Sequence, residues 1–130
     1  MQLLFVAEAT TAALHTLLEE MAAHPTVNAA VAAYLSTRHW DNPVSGCPLA
    51  ALGGELARSS KKAREAATTG FVRLVDILSG KVGTANARRR ALVAAATMIG
   101  TVTMSRVVTD PGLSAEILRA AEKSQAADQS

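Results

Sequence analysis

Aromatic side chains are nearly absent, with one Trp, one Tyr and two Phe in 130 residues. A surface that stacks the bases of a single strand needs such rings interleaved with cations, so the composition speaks against that function. The single cysteine, Cys47, excludes an internal disulfide and suits a reducing compartment. No basic segment accompanies the apolar opening from Met1 to Val6, so a signal peptide is not expected. The longest uncharged stretch inside a helix candidate, Ala91 to Ser105, falls short of the ~20 apolar residues that span a bilayer. It also carries Thr97, Gly100, Thr101, Thr103 and Ser105. A soluble, cytoplasmic protein without membrane contact is the expectation.

Other absences narrow the chemistry. None of His15, His24 and His39 pairs with another at the i, i+4 spacing that aims two imidazoles at one ion. Glu19 follows His15 by four residues, a weak two-ligand edge or an ordinary surface pair, and no metal site or cofactor is expected. Small helical peroxidase-like proteins use a Cys-x-x-Cys pair, and the second cysteine is missing. The run Gly80-Lys81-Val82-Gly83-Thr84 lacks the residue order of a phosphate-binding loop. Cys47 lies eight residues after His39, which admits a thiol enzyme as an alternative. No third orienting group accompanies the pair, and a packed structural thiol is the ordinary role of a lone cysteine. No catalytic residue is assigned.

What is present is 49% hydrophobic residues, mostly Ala, Leu, Val, Ile and Met, enough for one core in one domain. Abundant alanine and few strand-type runs predict an all-α fold. Six helices follow from periodicity and punctuation. The first covers about Leu3–Ala23, with Leu14, Leu17, Leu18 and Met21 as its buried stripe. The second opens at Pro25, buries Val27, Val31, Tyr34 and Leu35, and ends near His39 before the turn residues Asp41-Asn42-Pro43 and Ser45-Gly46. The third runs from Pro48 through Arg58. Gly53 and Gly54 weaken it by roughly 1 kcal/mol each, sensible if a neighbouring helix or a ligand must approach there. The fourth is capped by Ser59 or Ser60, buries Phe71, Leu74, Val75 and Leu78, and ends at Gly80. The fifth is capped by Thr84 and spans about Ala85–Val108. The sixth starts at Asp110-Pro111, an N-cap acid followed by proline, and runs to about Ser124. Leu113, Ile117 and Ala121 share one of its faces. One domain over 1–124 and a frayed polar tail over 125–130 complete the organisation.

The fifth helix differs from the rest. Leu92, Ala95, Ile99 and Val102 form one apolar seam, and Ala94, Met98, Thr101 and Ser105 a second seam of small or pliable side chains. A helix apolar nearly all round needs cover on more than one side, and a second subunit is the economical way to supply it.

Charge is uneven. Residues 1–57 carry five acids against one base, and the remainder twelve bases against six acids, for a net charge of +2. A basic half is compatible with nucleic-acid contact or with a solvated surface. The Arg88-Arg89-Arg90 run lies near a helix N-terminus, where the helix dipole disfavours positive charge. Either acidic groups of a partner meet it, or the arginines are simply solvated.

The segment from Tyr34 to Pro43 (YLSTRHWDNP), followed by Gly46-Cys47-Pro48-Leu49-Ala50-Ala51-Leu52-Gly53, resembles the middle of many TetR/AcrR-family transcriptional regulators. The run from Asp110 to Leu118 is similar to the opening of their last helix, and the likeness extends from about Ala12 to Ala121. It implies a six-helix regulatory domain whose last two helices form a four-helix interface with a second subunit. A small hydrophobic effector would bind between helices and control DNA binding, as in repressors of this type. His39, Trp40, Cys47, Gly53, Phe71, Val75, Thr97 and Met98 are the residues such a pocket would draw on. Met104 is a further pliable candidate. Ala94, Met98, Thr101, Ser105, Leu113, Ile117 and Ala121 are the candidates for a homodimer interface, with about 2,000 Å² or more buried if the dimer is obligate. Family members start with a helix-turn-helix unit, and nothing before Leu3 matches it, so DNA contact is expected only through that missing unit. A ligand-free dimerisation module is the remaining alternative.

Overall fold

The computed structural model describes residues 2–36 and 47–129. Six helices occupy them: α1 (Gln2–Ala23), α2 (Val27–Tyr34), α3 (Pro48–Ala57), α4 (Lys61–Ser79), α5 (Ala87–Val107) and α6 (Pro111–Gln129). No strand occurs among the described residues. The fold is all-α, and each expected helix has its counterpart.

Helix starts follow side-chain chemistry, not always at the expected residue. Ser60 accepts a hydrogen bond from the Ala63 amide at 3.2 Å and opens α4. The Asp110 carboxylate accepts one from the Gly112 amide at 2.9 Å before α6. For α2 the cap is Thr26, whose hydroxyl accepts from the Ala29 amide at 3.1 Å, so the helix begins at Val27 and Pro25 stays outside it. The second correction concerns α5. Its N-cap is Asn86, not Thr84, and Asn86 sits in the left-handed region at φ 66° with no side-chain cap. Asparagine tolerates that conformation better than most residues.

α5 is the central strut. It packs most extensively against α6 and next against α4, while α1 lies along α4 and α2 reaches α6. Leu14, Leu17, Leu18 and Met21 from α1 meet Leu74, Val75 and Leu78 from α4 and Ala91, Ala95, Met98 and Val102 from α5 in one core. Where α1 ends, the Lys81 ammonium donates to the carbonyls of Ala22, at 3.2 Å, and His24, supplying partners a helix C-terminus lacks.

Close helix approach occurs at Gly70 on α4, not at Gly53 or Gly54. A Cβ at Gly70 would lie 2.0 Å from Cδ2 and 3.1 Å from Cγ of the buried Leu14, whereas one at Gly53 or Gly54 meets nothing within 4 Å. Gly70→Ala should therefore cost about 1–3 kcal/mol by forcing Leu14 out of its place. Gly54→Ala should gain up to about 1 kcal/mol from helix propensity. Urea midpoints moving in opposite directions are the expected result, and a stabilised Gly70→Ala would refute the close approach.

The last helix continues past Ser124 to Gln129, because Gln125 tucks into the chain and alanines follow it. Residues 125–129 are thus helical instead of a frayed tail.

Candidate functional site

An open apolar groove of about 540 Å³ lies where α3, α4 and α5 meet. Leu49, Gly53 and Leu56 recur at helical spacing along α3, and Ala67 and Phe71 face them from α4. Ala96, Ile99 and Gly100 supply the α5 wall. The small residues Gly53, Ala67, Ala96 and Gly100 leave the space, and Phe71 is the one aromatic ring in the lining. Arg64 and Thr68 bring the polar groups, though the Thr68 hydroxyl is already committed to the Arg64 carbonyl at 2.7 Å. The wall is anchored by Thr103, whose hydroxyl reaches the Ala50 carbonyl at 2.8 Å and ties α5 to α3. A concavity of this composition suits an apolar small molecule.

The sequence candidates for the pocket scatter. Gly53 and Phe71 line the groove. Val75 and Met98 are fully buried in the core and Thr97 is half-buried, and none of the three lines the groove. His39 and Trp40 lie outside the described residues. Ala67 with Phe71, and Ala96 with Gly100, are i, i+4 pairs whose spacing could have revealed the groove walls.

Cys47 is buried at the start of α3, close to the buried Tyr34. Desolvation pushes the thiol above its ordinary value, outweighing the nearby Tyr34 hydroxyl, the Ala50 and Leu49 amides and the Arg106 charge, which lower it. Burial likewise raises the Tyr34 phenol. A thiol held protonated is the reverse of an activated nucleophile. Both folded-state values lie above the unfolded ones, so the neutral forms favour folding fully below the ordinary cysteine range near 8.5, and that stability is lost as pH rises through the folded values. The urea midpoint should hold between pH 7 and 8 and drop by pH 9.5, and Cys47→Ala should flatten part of that drop. An unchanged slope in the variant would show the thiol to be uninvolved.

The second expected surface is placed differently too. Ala94, Met98, Thr101 and Ser105 are buried within the single chain. α6 contributes directly to this cover, with the Ser114 hydroxyl donating to the Ser105 carbonyl at 2.7 Å while the Ser105 hydroxyl donates to that of Val102 at 2.8 Å. This seam therefore needs no second subunit. On α6, Ala121 packs against the core and Ile117 is half-buried, while Leu113 is exposed. What remains open on α5 is another face, comprising Leu92, Val93, Ala96, Gly100, Met104 and Val107, with Val93 50% and Val107 63% exposed. No charged residue occurs on α5 between Arg90 and Arg106.

His15 and Glu19 form an exposed pair at 2.8 Å on α1. Among the described residues no three His, Cys, Asp or Glu side chains gather as metal ligands, and no helix is long and apolar enough to cross a membrane. No protein-family model and no curated protein matches the chain.

Proposed function

We propose that this chain is the ligand-sensing and dimerisation module of a TetR-type transcriptional regulator. A small apolar effector occupies the groove between α3, α4 and α5, and two copies pair through the outer face of α5 together with Leu113 of α6. DNA binding belongs to the helix-turn-helix unit of full-length relatives in that family. The observation that carries the reading is the double membership of Ala96 and Gly100. Both wall the groove, and both lie on the uncharged open face of α5. An occupant of the groove thus touches the helix on which pairing depends, and it shifts pairing only to the degree that it binds the two arrangements unequally.

Nile red, a neutral dye, tests the groove without invoking charge. Its fluorescence should rise and shift to the blue with the intact chain. Gly53→Leu places four side-chain carbons into the groove from a position with open space around it, and should weaken the dye about tenfold or more by taking up the apolar surface the dye would bury. Equal dye binding by the variant would overturn the groove assignment and leave the ligand-free dimerisation module as the better reading.

A further inference from the structure

The three walls of the groove are not anchored alike. α4 places Leu74, Val75 and Leu78 in the core, and α5 places Ala95, Met98 and Val102 there. Of the described side chains of α3, only Pro48 and Ala50 are buried. That helix has 10 residues, starts at Cys47 without a side-chain cap and carries Gly53 next to Gly54. Helices below ~12–15 residues are marginal on their own even with good helix formers, so α3 depends on its neighbours for order.

A second observation lies where α3 meets α5. The Thr103 hydroxyl is within hydrogen-bond reach of two acceptors, the Ala50 carbonyl of α3 at 2.8 Å and the Ile99 carbonyl of its own helix at 3.0 Å. A hydroxyl has one proton to donate, so the two carbonyls compete for it. A shift of α3 by about 1 Å, the scale on which packed helices adjust, takes Ala50 beyond that reach. The Thr103 proton then goes to Ile99, and the Ala50 carbonyl keeps the Gly54 amide that the helix ladder provides. Opening the contact orphans no polar group and so avoids the penalty of a buried, unsatisfied donor. Ile99 also lines the groove, which puts the second acceptor in the wall that an occupant touches.

We infer that α3 is a displaceable wall of the groove and that Thr103 is its latch. Donation to Ala50 holds α3 against α5, and donation to Ile99 alone leaves α3 shifted and the groove widened for an effector. With the groove read as an effector site, on which this rests, α3 is the wall that moves and Thr103 governs the movement. Thr103 is a positioning residue, since it lines no part of the groove itself. An effector that favours the shifted wall draws on a minor population, and its apparent affinity is reduced by the fraction of chains already open.

Hydrogen exchange of the intact chain, followed by mass spectrometry without any ligand, tests the latch. In the parent, amides of α3 should exchange about tenfold faster or more than those of α4 around Leu74 and of α5 around Met98, through a local opening. Thr103→Val keeps the side-chain shape and removes the hydroxyl. It should speed exchange in α3 about fivefold, the factor that one net hydrogen bond is worth, and leave α4 unchanged. Thr103→Ser retains the donor and should restore the parental rates. Nile red should bind Thr103→Val up to about fivefold tighter than the parent, because only the closed arrangement has been weakened. A tie that merely supports the groove would give weaker binding instead. Equal protection of α3 and α4 in the parent overturns the latch. So does acceleration in Thr103→Val that is no greater in α3 than in α4, or dye binding by that variant that is unchanged or weaker. If the parent and both variants fail to bind the dye, the effector site falls, and the exchange rates still decide whether Thr103 holds α3.

Discussion

At micromolar concentration the chain should scatter light as a particle of twice its 13.5 kDa mass, and Gly100→Glu should return it to a single chain with its helical circular dichroism intact. The variant is chosen because a Cβ at Gly100 meets nothing within 4 Å, so the fold has room for the new side chain. It also replaces a residue of poor helix propensity. The open face it interrupts consists of Leu92, Val93, Ala96, Met104 and Val107, with small residues at the centre and larger ones towards the ends. Such a relief lets two copies of the helix approach closely at Ala96 and Gly100 while the larger side chains interlock on either side. A glutamate at the centre would face its own symmetry mate, or at least lose its water, and desolvated like charges cost several kcal/mol. The dissociation constant should rise about 100-fold or more. A parent chain of single mass under the same conditions would sink the paired arrangement. So would a Gly100→Glu variant that remains a dimer.

Met98→Ala should reduce folding stability by about 2–5 kcal/mol, the usual range when a buried Met, Leu or Ile is truncated. Met98 has no exposed surface and lies in the core, on the small-residue seam of α5. The decisive comparison uses the Gly100→Glu background. If Met98 is core, its truncation costs the same in a solitary chain as in the parent. If it were an interface residue, the cost would vanish once pairing was gone. Urea unfolding of the four proteins of this cycle reads the difference directly. An effect confined to the dimer would restore the interface role expected of Met98 from sequence.

The helices and several of their ends were legible because their causes are local. Asp110-Pro111 and Ser60 act on amides two or three residues away, and spacing alone aligns Leu14, Leu17, Leu18 and Met21. Asn86 shows where local signals do not decide a helix start. Thr84 and Asn86 are both acceptable caps by type, and the choice rests on how the chain leaves α4, with its left-handed turn at Asn86. The candidate pocket was harder to read. Gly53 signals close approach by its type alone, and the space beside it is a groove and not a neighbouring helix. Met98 and Val75 were apolar and central, qualities shared by core and pocket alike, and only their burial separates the two.

The amino-acid order by itself determined six helices, an all-α core and an α5 without charge along its middle, because propensity, capping and a 3.6-residue period all act within a few residues. Which side of α5 stays open was decided by the tertiary structure. Periodicity defines faces without naming the neighbour that covers them, and α6, returning with Ser114 against Ser105, covered the small-residue seam that the sequence had offered to a second subunit. The face left over, through Ala96 and Gly100, was selected by that packing, because each helix has only as much surface as its neighbours leave uncovered.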